Sequence, residues 1–400
     1  MSSLASRDLP DELWDVLIVG AGPAGATAAI HLAAKGHRVL LLDRDRFPRE
    51  KVCGDALASG TLRCLRNVGL DATVREAAHE AHAVSVFSPS MIEVAVDTTL
   101  LTLKRSRLDA LLAERAVDAG AVFCHGEVDG LANQADGTVA ASLVGREGAA
   151  RARFAVIATG ASVRLAARLG MIARPAASAD AVRCYVRSTV AIDRMIAFYL
   201  PSLLPGYGWI FPMGGGEYNV GCAVFRPNGE RARLSLRSAF EEFSTRFPPA
   251  RELFGAAEAV TPLRGARSRC GLEGMRRLVE GHVLAAGETI GSTLLFTGEG
   301  VGTAMHTGEL AAAALHEALS AGSAGPLERY PRRVREELRP RHMAFRAAQK
   351  VASVGWLNDF VSRLGRKGGC LHPLVASASS DQSHSRSVRF VRRLAHWLAK

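Results

Sequence analysis

No run of about 18 apolar residues occurs in the 400-residue chain, so nothing in it predicts a membrane-spanning helix. The opening MSSLASRDLPDE carries no apolar stretch of the signal-peptide kind. Cysteine is scarce and scattered: Cys53, Cys64, Cys124, Cys184, Cys222, Cys270 and Cys370 form no CxxC pair, which argues against a disulfide framework and against a zinc site. Free thiols in a reducing cytoplasm, and no metal, are expected. Repeats, heptads, zinc fingers and RNA-binding aromatic signatures are missing as well. The net charge of +11 is confined to one region, because residues 327–400 hold 16 Lys or Arg against 5 Asp or Glu. The remainder is balanced, which speaks against a nucleic-acid partner.

What is present is a globular composition, 48% hydrophobic and 22% charged, long enough for two or three domains. A βαβ opening is predicted: a strand over Trp14–Val19, a glycine loop, a helix from Pro23 to Lys35 and a strand over Val39–Leu42. Further predicted elements are a helix over Ala56–Asn67, antiparallel strands near Ala83–Val96, a helix near Arg231–Phe247 and a helix from Val301 to Leu319. The expected fold class is α/β. A Rossmann-type dinucleotide-binding domain is assembled from residues 10–75, 100–170 and 275–325. An antiparallel-sheet substrate domain takes 76–99 and 171–274, and residues 326–400 form a basic helical C-terminal extension, an appendage.

The strongest motif is Gly20-Ala21-Gly22-Pro23-Ala24-Gly25, straight after an apolar strand and opening an Ala-rich helix. Gly20 permits the tight turn, Gly22 lets backbone approach a pyrophosphate, and Gly25 allows close helix–sheet packing, while the helix start supplies N–H donors. Asp43, 18 residues past Gly25, is placed to accept hydrogen bonds from a ribose, with Arg44 beside it. The bland reading is a bare glycine turn between strand and helix.

The downstream segments Leu284-Ala285-Ala286-Gly287-Glu288 and Gly298-Glu299-Gly300-Val301-Gly302 resemble the second half of the FAD site in the flavoprotein group that includes para-hydroxybenzoate hydroxylase. Glu288 stands where that group has Asp. Within the group, Pro48-Arg49-Glu50-Lys51-Val52-Cys53-Gly54 is similar to the PRxKxCG loop of the geranylgeranyl reductase family. Arg105-Ser106-Arg107-Leu108-Asp109 resembles its RxxFD, and Tyr207-Gly208-Trp209-Ile210-Phe211-Pro212, followed by Gly221, its YxWxFP pocket signature. The resemblance implies non-covalent FAD and saturation of carbon–carbon double bonds in an isoprenoid or prenyl lipid. It implies an Arg105 near the flavin and a pocket of Tyr207, Trp209, Phe211, Pro212 and Gly221. Thr159, before Gly160, departs from the family's Asp, which leaves NAD(P)H, free reduced flavin and a protein donor all open as electron sources. A flavin monooxygenase or halogenase, and a non-catalytic FAD-binding protein, are the other readings.

Two readings rest on residues alone. Cys53, flanked by Lys51 and Arg49, is expected to be a stabilised thiolate and a proton donor or gate, with Lys51 as its companion; a packing role is the other reading. Residues 385–400, wound as a helix, put Arg386, Arg389, Arg392, Arg393 and Lys400 opposite Phe390, Leu394, Trp397 and Leu398. That is the pattern of peripheral contact with an anionic membrane, or of a helix docked on the core.

Overall fold

The computed structural model describes residues 4–5, 9–226 and 235–366. The βαβ opening is a strand over Leu13–Val19, helix α1 over Pro23–Ala33 and a strand over Val39–Asp43. Val16–Val19 and Val39–Leu42 are apolar and buried throughout, as parallel strands covered on both faces must be. Among the described residues they belong to a nine-stranded sheet whose order is Leu4–Ala5, Val122–His125, Val39–Asp43, Leu13–Val19, Ala149–Ile157, Val283–Ala285 and Val279–Glu280, with one hairpin added beside Ala149–Ile157. Register sets Val19 beside Leu42 and Ile157, and Ile157 beside Ala285. The loops after these parallel strands therefore emerge together, which is where open α/β sheets hold ligands.

A second nine-stranded sheet among the described residues includes His79–Phe87, Glu93–Thr102, Ala179–Ser188, Met195–Phe198, Gly206–Gly214 and Glu217–Phe225. Its pairs are antiparallel, except that Met195–Phe198 runs parallel to His79–Phe87. One face is sealed by helix α2 over Leu236–Arg246 and by the helix Pro248–Gly255, through Phe198, Phe243 and Phe247. The Phe198 and Phe247 rings stack at 4.5 Å. Gly208 makes this contact close, since a Cβ there would meet the Phe243 ring at 2.7 Å.

Helix α3, Val301–Ala321, crosses α1 at Gly308, where a Cβ would fall 2.3 Å from the carbonyl oxygen of Ala24. Helices α4, Arg329–Ala352, and α5, Gly355–Arg366, follow. The appendage expectation is corrected for these residues. Tyr330, Val334, Leu338, Phe345 and Ala348 are buried, and the Tyr330 hydroxyl donates to the Ala285 carbonyl at 2.8 Å. Two smaller corrections concern helix starts. Ala56 and Leu57 pair as a strand with Thr102 and Leu101, so the helix opens only at Ser59. In α2 the Ser235 hydroxyl accepts the Ser238 N–H at 3.5 Å and fixes the start at Leu236. No helix among the described residues is long and apolar enough to cross a membrane. The helix expected over 385–400 lies outside the described residues.

Candidate active site

Backbone contacts dictate the glycine turn. Gly20 has φ +104°, and a Cβ there would lie 2.3 Å from the Ala158 carbonyl oxygen; one at Gly25 would lie 1.8 Å from the Gly20 carbonyl oxygen. Both positions need glycine for the turn to close. Gly22 differs, because its Cβ would find only the Arg49 guanidinium, at 3.5 Å. No side chain caps the start of α1, which leaves its first N–H groups for an anion.

At the end of the neighbouring strand, Asp43 accepts the Ala21 N–H on Oδ2 at 2.8 Å and the Asp45 N–H on Oδ1 at 3.0 Å. These bonds orient the carboxylate and leave each oxygen a lone pair. Burial raises the Asp43 pKa against the opposing pull of Arg49. Asp109 aims two guanidinium groups. It takes Arg105 in a fork, Nε to Oδ1 and Nη2 to Oδ2 both at 2.7 Å, and holds Arg49 Nη2 at 3.2 Å. Burial works against the Arg105 charge, but Asp109 more than offsets it and raises the pKa. The Arg49 Nε is buried with no hydrogen-bond partner. A glycine cradle, an uncapped helix start, a guanidinium nitrogen 4.0 Å from Asp45 with its hydrogen bond unmade and an oriented carboxylate suit a dinucleotide's pyrophosphate and ribose.

One cavity of about 610 Å³ unites these groups with the second sheet. Of the sequence-derived candidates, its wall holds Gly20, Gly22, Pro23, Ala24, Asp43, Arg44, Lys51, Cys53, Arg105, Gly160, Tyr207, Trp209, Phe211, Gly287, Glu288, Gly298, Gly300 and Val301. Gly25, Gly302, Pro212 and Gly221 are not on it. Gly302 packs against Thr61, whose backbone nitrogen is 2.7 Å from its ideal Cβ, and the Pro212 carbonyl accepts the Thr102 hydroxyl at 2.6 Å. Gly221 acts behind the wall: a Cβ there would strike the Trp209 ring at 2.3 Å, so its smallness seats the indole.

Tyr207, Trp209 and Phe211 alternate along one strand and share the cavity face, with successive ring centroids 6.2 Å apart. Val84, Val86, Val94 and Leu100 extend the apolar wall from the neighbouring strands. Cys53 lines the same cavity, but the stabilised thiolate expected there is corrected. Burial pushes its thiol pKa up, the nearby Asp55 pushes the same way, and Arg105 only partly opposes them. Its charged sequence neighbours are engaged elsewhere: Lys51 Nζ stands 3.6 Å from Glu288 Oε2, and Arg49 is held by Asp109. Glu288 also accepts the Arg269 N–H, at 3.3 Å.

Sequence reading did not find the network beneath Cys53. Asn219 donates through Nδ2 to the Cys53 carbonyl and to Asp55 Oδ2, both at 2.8 Å, and accepts the Trp209 indole N–H at 2.9 Å. The Tyr185 hydroxyl donates to the same Asp55 oxygen at 2.6 Å. Asp55 is fully buried at φ +64°, and burial raises its pKa despite these bonds. The only signals available in sequence were an acid, Asp55, directly after the PRxKxCG-like loop and a polar Asn219 in a largely apolar strand. Asp55→Ala is expected to cost about 2–4 kcal/mol of stability, because it removes the acceptor of three buried donors, the Tyr185 hydroxyl, the Asn219 amide and the Arg105 backbone N–H, and places a Cβ-bearing residue without a local hydrogen bond in the left-handed region. Thermal unfolding beside Asp55→Asn, which tolerates that backbone, checks this; equal midpoints for Ala and wild type would refute it.

The FAD binding domain family matches residues 14–339. The menaquinone reductase of Mycobacterium tuberculosis H37Rv is 31% identical over 321 residues, 76% of each chain. The digeranylgeranylglycerophospholipid reductase 1 of Methanopyrus kandleri is 29% identical over 358 residues, 85% of this chain and 90% of that one. In fold, a geranylgeranyl bacteriochlorophyll reductase-like protein of Thermoplasma acidophilum superposes with TM-score 0.79 at 21% identity, covering 96% of this chain and 99% of that one. A flavin-dependent brominase does so with TM-score 0.78 at 18% identity, covering 97% and 99%. The shared architecture thus serves more than one reaction.

Proposed function

This chain belongs to the FAD-binding-domain family and, within it, to the geranylgeranyl reductase-like FAD-dependent oxidoreductases, and from that premise we propose that it reduces carbon–carbon double bonds of an isoprenoid chain borne by a hydrophobic lipid. The observation that carries the substrate class is the apolar half of the cavity, where Tyr207, Trp209, Phe211 and the strand valines form a wall continuous with the dinucleotide half. Such a wall suits a flexible, apolar polyene and offers no cluster of charges for a polar one. The names of the two curated relatives, both enzymes of prenyl-bearing lipids, support the same class.

Gly20, Gly22, Pro23 and Ala24, with Arg49, would hold the pyrophosphate, Asp43 a ribose, and Glu288 the ribityl end. When bound and reduced, FAD supplies a hydride to one alkene carbon. Cys53 supplies the proton to the other. Its raised pKa keeps the thiol protonated at neutral pH, and the Arg105 guanidinium beside it steadies the thiolate left behind. Asn219 positions this donor, since it holds the Cys53 backbone and the Trp209 indole at once. Lys51, engaged with Glu288, is assigned to positioning at the seam between the two halves.

The test is anaerobic: chemical reduction of the bound flavin, addition of a detergent-dispersed prenyl lipid, and mass spectrometry of the product. A gain of two hydrogens per turnover with flavin reoxidation is expected. Oxygen consumption with a hydroxylated or halogenated product would overturn the reading in favour of a monooxygenase or halogenase. Absence of any turnover with flavin bound would favour a non-catalytic role.

A further inference from the structure

Helix α5 is amphipathic the wrong way round for a helix on a water-facing surface. Its polar residues Asn358 and Ser362 are buried, and Asp359 is tied down by the Ser88 hydroxyl at 2.6 Å and by the Ser90 N–H and hydroxyl at 2.9 and 2.7 Å. Three of its apolar residues point out: Trp356 is 71% exposed, Phe360 51% and Leu364 43%. These three stand at four-residue intervals and share one face. Met91, 41% exposed, lies in the turn that Asp359 holds. Apolar residues exposed singly, as Leu13 or Val144 are, need no explanation, but an aromatic stripe on a helix whose polar face is inward does.

The occupant of this face is indicated by charge and by place. Arg363, Arg366 and Lys350 are exposed on or next to α5, and residues 367–400, which continue from it, carry six Lys or Arg and one Asp. The opposite side of the helix, through Asn358, Val361 and Ser362, bounds the cavity, as do Ala347, Ala348, Val351 and Ala352 of α4. We propose that α5 seats in the interfacial layer of an anionic phospholipid bilayer through Trp356, Phe360 and Leu364, with Met91 beside them, and so brings the cavity it bounds to the surface where a prenyl lipid resides. This rests on the lipid-substrate reading above. It concerns a different segment from residues 385–400 and needs no contact from them.

The experiment uses full-length protein loaded with FAD and two kinds of vesicle, phosphatidylcholine alone and phosphatidylcholine mixed with phosphatidylglycerol. Wild type should co-sediment with the anionic vesicles at low salt and be released as salt rises. Trp356→Ser with Phe360→Ser should weaken that partition by about tenfold or more, and Arg363→Glu with Arg366→Glu should abolish the preference for phosphatidylglycerol. Both variants should keep their flavin absorbance and unfolding midpoint. Wild type that ignores both vesicles overturns the proposal. So does a serine variant that binds as wild type does, or one that turns a dimer into a monomer, the sign of a second copy on the face. Greater protease sensitivity of residues 367–400 in that variant, without a change in vesicle binding, would place the chain's own segment there and overturn it too. If the serine variant aggregates, the charge-reversed one decides, and an unchanged anionic preference is fatal. Turnover of detergent-dispersed prenyl lipid is followed in parallel: turnover without vesicle binding strikes out the surface alone, and vesicle binding without turnover strikes out the substrate.

Discussion

Gly22→Leu should yield a folded, colourless protein, whereas Gly25→Ala should yield a poorly folded one. The two glycines sit three residues apart in one motif, but their surroundings differ. A Cβ at Gly25 would lie 1.8 Å from a backbone carbonyl oxygen, and no rotamer change relieves a backbone clash. The turn must open, the strand end and α1 must separate, and core contacts of Ile18 and Ala24 go with them. At Gly22 the nearest atom is a guanidinium nitrogen at 3.5 Å, so a leucine enters the cavity without straining the chain. It then occupies the volume through which backbone N–H groups would reach a pyrophosphate. Overpacking at a site that cannot yield costs roughly 1–3 kcal/mol or more, about one to two orders of magnitude in affinity. Flavin absorbance of the purified proteins, with unfolding midpoints measured alongside, distinguishes the two outcomes. A yellow Gly22→Leu protein with normal affinity would remove the glycine turn from the FAD site.

The first sheet was legible because its signals are local. Strands buried on both faces read as apolar runs, and a glycine turn needs no partner from afar to be recognised. The second sheet was legible only as short alternating stretches, since its order joins segments far apart in the chain, such as Glu93–Thr102 with Ala56–Leu57 and, across more than a hundred residues, His79–Phe87 with Met195–Phe198. The C-terminal helices were misread for a related reason. Arg-rich composition describes the exposed side of α4, while its docking depends on a thin stripe of Tyr330, Val334, Leu338 and Phe345. That stripe is visible at helical spacing but cannot name the surface it meets.

Within the site, motifs pointed to wall residues and missed the supports. Asp55 directly follows the loop motif and Asn219 stands two residues before Gly221, and only folding shows that they meet beside Trp209 and Cys53. Likewise Gly221 and Pro212, drawn into the pocket by their place in a signature, act behind it. Arg49 was read only as a neighbour of Cys53, whereas folding sets it opposite Gly22. Electrostatics failed where adjacency in sequence was taken for adjacency in space. Lys51 and Arg49 flank Cys53 in the chain, but Glu288 and Asp109 hold them, and burial governs the thiol.

Cys53→Ala should slow double-bond reduction by about 10²–10⁴-fold while FAD content stays near that of wild type, the span that one positioned acid contributes. The argument turns on the direction of the pKa shift. A thiol ordinarily titrates near 8.5, and a donor with that value would fail as pH rose through it. Burial raises the Cys53 value, with Asp55 adding to it, so the protonated form persists and the rate should stay level from neutral pH to well above the ordinary thiol value. Arg105 opposes burial, because its guanidinium favours the thiolate. Arg105→Leu should therefore raise the thiol pKa further and still lower the rate, since the thiolate formed on proton transfer loses its counter-charge. Cys53→Ser tests the same point from the other side: a hydroxyl fills the space but is a far weaker acid, so its rate should resemble alanine's rather than wild type's. The measurements are single-turnover rates of flavin reoxidation by substrate across pH for the four proteins. Equal rates for Cys53→Ala and wild type would assign the residue to packing and pass the proton to a water. A wild-type rate that falls near the ordinary thiol value would show that burial does not hold the proton in place.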